Sequence, residues 1–198
     1  MTAEGVAGAW DDKYREQPEL WGRPPSRFLV DLAADLPLGT ALDFGSGQGR
    51  NALWLAEQGH SVTGLDLSPV AVGQAAAVAE RHGLDAAFEA VDLTAWDPAG
   101  RTWDLVLLSY LQLPAEDRRR AHHAAVNALA KGGTLILIGH HRDNLDGGVG
   151  GPPSPEVLFS EEQLAEDFAE LRIRRNETAL RPTDEGDAID VVLVAERV

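Results

Sequence analysis

Three glycines stand at every second position in the stretch 41–51, as Gly45, Gly47 and Gly49. Because glycine has no Cβ, the backbone of such a turn can pass very close to a ligand. The apolar residues before the turn predict a buried strand. The helix expected after it begins with N–H groups that have no partner inside the helix. A strand, a glycine turn and a helix start, in this order, can hold a nucleotide-like cofactor.

The spacing of these glycines is a poor match to a dinucleotide site. The dinucleotide fingerprint is Gly-x-Gly-x-x-Gly, and here the third glycine comes one residue early. Asp43 lies just before the turn, where its carboxylate would oppose a diphosphate but could suit a cation. S-adenosyl-L-methionine carries an ammonium, a sulfonium and an adenosine, and it has no phosphate. The turn therefore favours this cofactor. Asp43 could contact the ligand, orient the N–H groups of the turn, or do both.

The residues from Leu42 to Asn51 resemble the first motif of the class I S-adenosylmethionine-dependent methyltransferases. Three further elements match that family in register: Asp66 at the end of the second predicted strand, Asp92-Leu93 at the end of the third, and the turn 129–135 before the fifth. The resemblance implies that Asp66 binds the ribose hydroxyls and that Asp92 and the Leu93 N–H bind adenine. The cofactor-binding residues that it implies are Asp43, Gly45, Ser46, Gly47, Gly49, Arg50, Asn51, Asp66, Leu67, Asp92, Leu93 and Ser109.

Two alternatives accompany this assignment. Asp66 could cap the helix that follows it, although Ser68 is already well placed for that role. Asp92 could cap a turn.

Both ends of the chain are similar to the small methyltransferases of the tellurite-resistance and thiopurine type. The likeness is carried by the pattern Trp-Asp-x-x-Tyr from Trp10, by Trp-Gly-x-Pro-Pro-Ser from Trp21, and by residues 159–164. This resemblance implies a small-molecule methyl acceptor and does not identify it.

Residues that could act on the acceptor follow two predicted strands. Tyr110 comes directly after the fourth strand, and His140 and His141 come after the fifth. Ligands of open parallel sheets lie at the carboxyl ends of the strands, so we expect these residues to line the acceptor pocket. All three are candidates for a general base, which is needed only if the acceptor must lose a proton. Each histidine could instead be a loop residue bonded to backbone. We expect no metal site, because adjacent histidines in an extended segment point in opposite directions.

Composition limits the possible partners. The 198 residues include 17 basic and 32 acidic ones, which gives a net charge of −15 and no general attraction to nucleic acid or anionic membranes. The absence of cysteine excludes disulfides, thiolate zinc sites and a cysteine nucleophile. We find neither a signal-peptide pattern nor an apolar run of transmembrane length. The sequence therefore predicts a cytoplasmic protein, monomeric or homodimeric, without a nucleic-acid or membrane partner.

Strands and helices alternate from residue 40 to residue 139. The predicted strands are 40–44, 61–65, 86–91, 103–109, 134–139, 171–180 and 188–196. The inner strands are continuous apolar runs, which is typical of a parallel sheet covered by helices on both faces. The short connection between the last two strands predicts an antiparallel pair. We expect an α/β, Rossmann-like, doubly wound fold, with a mostly parallel seven-stranded sheet and an antiparallel C-terminal strand pair.

One domain, 1–198, is expected from the length. Its parts are an N-terminal helical lid at 1–38, a cofactor-binding core at 39–139, and a substrate loop with the closing strands at 140–198. Within the last part, residues 140–155 are rich in glycine and proline and predict a functional or disordered loop.

The lid assignment depends on aromatic residues near the N-terminus. We expect residues 1–9 to be loose and a short helix to carry Trp10 and Tyr14 on one face. Together with Trp21, these rings could cover the acceptor, or they could pack without touching it.

Three other functions remain open beside a small-molecule methyltransferase. They are a non-catalytic module that binds S-adenosylmethionine, a nicotinamide-dependent oxidoreductase, and a nucleic-acid methyltransferase. The glycine spacing weakens the oxidoreductase. The net charge and the absence of an Asn/Asp-Pro-Pro-Tyr sequence after the fourth strand weaken the nucleic-acid enzyme.

Overall fold

The computed structural model describes residues 3–20, 22 and 24–198, so the predicted lid residue Trp21 lies outside the described residues. The chain divides into two compact units, an N-terminal unit, Met1–Trp96, and a C-terminal unit, Asp97–Val198. Each is described by itself.

The N-terminal unit alternates helices and parallel strands. Its elements are α1 (Ala3–Glu16), α2 (Arg27–Ala33), β1 (Thr40–Phe44), α3 (Arg50–Glu57), β2 (Ser61–Asp66), α4 (Pro69–His82) and β3 (Ala86–Ala90). Strand β2 pairs in parallel with β1 and with β3. The start of α4 follows the sequence pattern, because the Ser68 hydroxyl accepts from the N–H of Ala71, and Pro69 occupies the first helical position. Gly83 then ends the helix in a left-handed conformation.

The C-terminal unit carries the rest of the strands. Its elements are β4 (Trp103–Ser109), α5 (Ala115–Ala128), β5 (Leu129–His140), α6 (Asn144–Gly147), a 3₁₀ turn (Pro155–Val157), α7 (Glu161–Asp167), β6 (Arg172–Thr183) and β7 (Gly186–Glu196). Strands β4 and β5 are parallel, whereas β7 runs antiparallel to both β5 and β6. The middle of β4 and that of β5 are buried, as their continuous apolar runs predict.

The seven strands form one sheet in the order β3-β2-β1-β4-β5-β7-β6. The predicted α/β fold, with a mostly parallel seven-stranded sheet and an antiparallel C-terminal pair, is confirmed.

Some local predictions were wrong. Residues 3–9 are helical and not loose. Strand β5 begins at Leu129, five residues earlier than expected, and its pairing with β4 shifts register between Trp103 and Leu105.

The segment 140–155 contains less irregular loop than the sequence suggested. It contains α6, and it is closed by a bridge between His141 and Phe159. The Asn144 side chain fastens it, since Oδ1 accepts from the Ile189 N–H of β7 at 2.7 Å and Nδ2 donates to the Gly150 carbonyl at 2.8 Å. No helix of the described part of the chain combines the length and apolarity needed to span a membrane.

Candidate active site

The glycine turn between β1 and α3 requires its glycines. Gly45, Gly47 and Gly49 have φ angles of 93°, 53° and 83°, in the left-handed region that side chains other than glycine rarely adopt. A Cβ on Gly49 would also lie 2.9 Å from the Cβ of Ala75. The three predicted glycines therefore set the path of the turn.

The N–H groups of this turn are largely used inside the protein. Those of Gly45 and Ser46 both donate to the Leu65 carbonyl at 2.8 Å, and that of Gly47 donates to Asp66 Oδ2 at 2.7 Å. A turn that holds a pyrophosphate needs its N–H groups for the ligand. In this turn those N–H groups already donate to Leu65 and Asp66, in agreement with the poor match to the dinucleotide fingerprint.

Asp43 is fully buried beneath the turn, with 0% of its surface exposed. Its Oδ2 accepts from the N–H of Ala52 at 3.1 Å, so Asp43 holds the first turn of α3 and not an N–H group of the glycine turn itself. Its Oδ1 is buried and has no hydrogen-bond partner among the described residues. Burial raises the pKa of this carboxyl to about 7, although the Arg50 charge acts to lower it. A buried carboxylate oxygen without a donor suits a ligand that carries an ammonium.

Asp66, at the end of β2, links the glycine turn to α4. One oxygen accepts from Gly47 and the other from the N–H of Ser68 at 2.9 Å. Burial raises the pKa of Asp66 against these hydrogen bonds, and the Asp11 carboxylate adds to the rise. A carboxylate has about four lone-pair positions, so the ribose role that the resemblance implies is compatible with these bonds.

Asp92 caps a turn, which is the alternative to adenine binding that the sequence left open. Its Oδ1 accepts from both the N–H and the hydroxyl of Thr94, at 2.9 and 2.8 Å, which forms a local turn. Leu93 beside it is buried, and a ring contact between Phe44 and Trp96 lies in the same unit. Oδ2 is not used in this turn, so capping and adenine binding are compatible.

Three other predicted cofactor residues have protein neighbours of their own. Asn51 Oδ1 accepts from the N–H of Ser26 at 2.8 Å, and so it holds the segment before α2. The hydroxyl of Ser46 faces β2, since a Cβ on Gly64 would lie 3.0 Å from it. Leu67, between Asp66 and Ser68, is half-buried.

The N-terminal segment is attached to the glycine turn, which sequence reasoning missed. Gln48, inside the turn, accepts from the N–H of Leu20 at 3.0 Å and donates to the carbonyl of Gln17 at 3.1 Å. Asp11 of α1 accepts from the Ser68 hydroxyl and from the N–H of Val70. A glutamine between two glycines and an aspartate in a helix are both ordinary in a sequence, so no local signal marks them.

Trp10 and Tyr14 form the predicted aromatic face of α1. Their rings stack with centroids 5.7 Å apart, and Tyr14 is only 4% exposed. Tyr14 therefore packs inside the N-terminal unit, and the lid role of this segment stays a prediction.

In the C-terminal unit, Tyr110 and His140 converge on a carboxylate that sequence reasoning also missed. This is Asp190 of β7, which has no exposed surface. The hydroxyl of Tyr110 donates to Asp190 Oδ2 at 2.8 Å, and Arg181 Nε donates to the same oxygen at 2.7 Å. Nδ1 of His140 lies 3.0 Å from Asp190 Oδ1. We call these four residues the Asp190 cluster.

His141 has a different environment. It is buried, its Nε2 lies 2.9 Å from Glu161 Oε2, and its Nδ1 accepts from the N–H of Asp143 at 3.2 Å. Both ring nitrogens are thus engaged, which matches the alternative of a structural loop histidine. Ser109, the last residue of β4, has a buried hydroxyl without a hydrogen-bond partner among the described residues. Those residues also contain no group of three or more acidic, histidine or cysteine side chains that could hold a metal ion.

Comparisons with known proteins agree with the resemblance. Residues 41–133 match the family described as "Methyltransferase domain". A 2-heptyl-1-hydroxyquinolin-4(1H)-one methyltransferase of Mycobacteroides abscessus is 26% identical over 190 residues, covering 87% of this chain and 84% of that protein.

Solved structures give the same result. One described as "Conversion of a Disulfide Bond into a Thioacetal Group during Echinomycin Biosynthesis" has a TM-score of 0.74 and 26% identity, covering 97% of this chain and 91% of the other. TehB from Haemophilus influenzae shares the fold with a TM-score of 0.75 and 18% identity, covering 96% of this chain and 67% of its own. The likeness to TehB shows a shared fold. With the strand order and the glycine turn, these matches support a class I S-adenosylmethionine-dependent methyltransferase with S-adenosyl-L-methionine as its cofactor.

Proposed function

We propose that the N-terminal unit holds the methyl donor through the glycine turn, Asp43, Asp66 and Asp92, and that the acceptor is a small organic molecule. The observation that carries the cofactor assignment is the glycine turn itself. Its N–H groups are occupied, and Asp43 places a buried oxygen without a donor beneath it.

The bound cofactor supplies a methyl group on a sulfonium whose departure leaves a neutral sulfide, so no acid is needed to expel it. The protein must therefore bind, orient and exclude water. In this proposal Asp66 accepts from the ribose hydroxyls, while Asp92 and the Leu93 N–H bind adenine. Asp43 faces the ammonium.

The Mycobacteroides abscessus relative supports a small acceptor, because its name describes the methylation of a hydroxyquinolinone. We assign acceptor chemistry to the carboxyl ends of β4 and β5, where Tyr110 and His140 lie. Burial and the neighbouring Asp190 raise the pKa of the Tyr110 hydroxyl, and that hydroxyl already donates to Asp190. His141 has both nitrogens engaged. His140 is therefore the strongest candidate for a base. The cytoplasmic location and the monomeric or homodimeric state remain predictions.

Calorimetry with S-adenosylhomocysteine tests the cofactor site. We expect wild type to bind, and Asp66→Ala and Asp92→Ala each to bind at least about 10-fold more weakly, because a hydrogen bond to a charged group contributes about 1.5–3 kcal/mol. Glu57→Ala removes an exposed carboxylate of the same unit and serves as the matched control. Unchanged binding in both aspartate variants would contradict the site, and no binding by folded wild type would contradict the proposed function.

A further inference from the structure

Asp190 divides its two oxygens between different partners. Oδ2 accepts from Tyr110 and from Arg181, and Oδ1 lies 3.0 Å from Nδ1 of His140. The contact with His140 is an ion-pair distance whose angles are not those of a hydrogen bond, whereas Arg181 and Tyr110 donate hydrogen bonds. Burial acts to raise the pKa of Asp190, but its interactions with His140, Arg181 and Tyr110 outweigh it, so the pKa lies below its ordinary value. Asp190 is therefore a buried carboxylate that stays ionised.

An ionised carboxylate oxygen can only accept a hydrogen bond. A ring nitrogen that presented its lone pair to Oδ1 at 3.0 Å would be repelled by the carboxylate. Neutral His140 is therefore the Nδ1–H tautomer, and its lone pair lies on Nε2. No described residue forms a hydrogen bond with Nε2. The side chain of His140 keeps 12% of its surface exposed, so it is neither sealed in the core nor free on the surface.

Backbone features hold this arrangement in place. Tyr110 has a φ of 57°, in the left-handed region that a tyrosine adopts only when its surroundings impose it. Its ring lies 5.1 Å from that of His140, centroid to centroid. On another side, Gly151 packs so close that a Cβ there would lie 3.0 Å from the imidazole. The strained backbone of Tyr110 and the close packing of Gly151 together hold the His140 imidazole in one position.

A second histidine–carboxylate pair in the same unit provides an internal comparison. His122 Nδ1 forms a hydrogen bond with Asp167 Oδ2 at 2.9 Å, so this pair also has Nδ1 facing a carboxylate oxygen. However, its ring is stacked against Phe159 and Phe168, and its Nε2 is buried without a partner among the described residues. This pair cannot exchange a proton with a ligand. The His140 side chain differs from it in keeping 12% of its surface exposed, against 2% for His122.

We propose that Asp190 is a positioning residue that fixes His140 with Nε2 as a proton acceptor, and that the acceptor is a small molecule with a protic heteroatom: a hydroxyl, an N-hydroxyl or a thiol. This inference rests on the proposed function and narrows it. Neutral sulfides, selenides and tellurides have no proton to lose, and for them the Asp190 cluster would have no purpose.

The step balances without a further reactant. The acceptor heteroatom gives an electron pair to the methyl carbon, the carbon–sulfur bond breaks with its pair on sulfur, and the acceptor proton passes to His140 Nε2. His140 then returns this proton to water. The titratable and charged groups around the imidazole come from three elements: Asp190 of β7 and Tyr110 after β4 contact it directly, and Arg181 of β6 binds the same carboxylate.

The first test reads the tautomer and needs no turnover. Nitrogen-15 NMR of the histidine-labelled protein, at a pH where the ring is neutral, distinguishes protonated from unprotonated ring nitrogens, with His140→Gln to assign the signal. We expect Nδ1–H in wild type and a shift toward Nε2–H in Asp190→Asn. Nε2–H in wild type, or no change in Asp190→Asn, would overturn the proposal.

The second test measures methyl transfer to 2-heptyl-1-hydroxyquinolin-4(1H)-one and to dimethyl selenide. We expect turnover of the protic acceptor, a fall of about 100-fold in kcat for Asp190→Asn, and little change in KM. Asp167→Asn is the matched control; it removes the other buried carboxylate and is expected to keep the wild-type pH profile. Should Asp190→Asn not fold, His140→Ala with and without imidazole replaces it, and rescue by imidazole is expected.

The possible outcomes distinguish a failure of the proposed function from a failure of the inference about the acceptor. Failure of the folded protein to bind S-adenosylhomocysteine contradicts the proposed function. Methylation of dimethyl selenide with no activity toward protic acceptors leaves the methyltransferase intact and overturns the inference. Equal activity of wild type and Asp190→Asn toward a protic acceptor overturns it as well.

Discussion

At the scale of single residues, Asp43 shows a conflict between stability and binding. The pKa of its carboxyl is 3.8 in a model peptide and about 7 in the folded protein. Between these pH values the folded chain holds more protons than the unfolded one, so this group lowers stability as the pH rises from about 4 to about 7. Above that range the cost is constant, and below it the cost disappears. The cofactor ammonium that we propose to bind at Asp43 is a reason to keep this buried carboxyl despite its cost in stability.

The substitution Asp43→Asn tests this account. Asparagine retains an acceptor for the Ala52 N–H and removes the charge. We expect the unliganded variant to be more stable than wild type at pH 8, by at most about 4 kcal/mol, with a smaller gain at pH 5.5. Urea unfolding at both pH values measures the difference, and calorimetry at pH 8 should show weaker binding of S-adenosylhomocysteine. A gain that does not depend on pH would show that the carboxylate charge is not its source.

The sequence indicated some residues of the candidate site and gave no signal for others. Asp43, Asp66 and Asp92 lie at or next to strand ends. The topology of a parallel sheet places such side chains along one edge, so the sequence pattern is enough to indicate them. Asp190 lies inside β7 and is separated from Tyr110 by 80 residues. In the sequence it is one polar residue before an apolar run, and only the antiparallel pairing of β7 with β5 places it opposite His140.

At the scale of elements, strand β2 supports the glycine turn from behind. Its Gly64 leaves room for the Phe88 ring of β3, because a Cβ there would lie 2.4 Å from a ring carbon. Gly73 of α4 is the opposite case, with no atom within 4 Å of an added Cβ. These two glycines therefore differ in whether alanine can replace them without a steric clash.

We expect Gly64→Ala to lower the free energy of unfolding by about 1–3 kcal/mol through overpacking. Gly73→Ala, in a helix interior, should raise it by about 0.5–1 kcal/mol. Denaturant unfolding compares the two. Because β2 ends in Asp66, Gly64→Ala should also weaken cofactor binding, whereas Gly73→Ala should not. Equal effects of the two substitutions on stability would contradict this packing argument.

Element boundaries show where local patterns are insufficient. The Ser68-Pro69 helix start and the Ser160 cap of α7 were predictable, because the capping bonds are local. The extent of α1 and the order of residues 140–155 were not. Both depend on tertiary hydrogen bonds, from Gln48 and Asp11 in one case and from Asn144 in the other.

At the scale of the whole molecule, the net charge of −15 gives a test of the cofactor class. A strongly acidic protein attracts cations over a distance set by ionic strength. S-adenosylmethionine carries one more positive charge than S-adenosylhomocysteine, so its affinity should fall more steeply with salt. We expect a relative loss of about two- to threefold between 20 and 300 mM NaCl. Calorimetry with both ligands measures it, and NADH, an anion, serves as the control that should not bind. Equal salt dependence of the two ligands would mean that the protein field does not act at the site, and NADH binding would restore the oxidoreductase alternative.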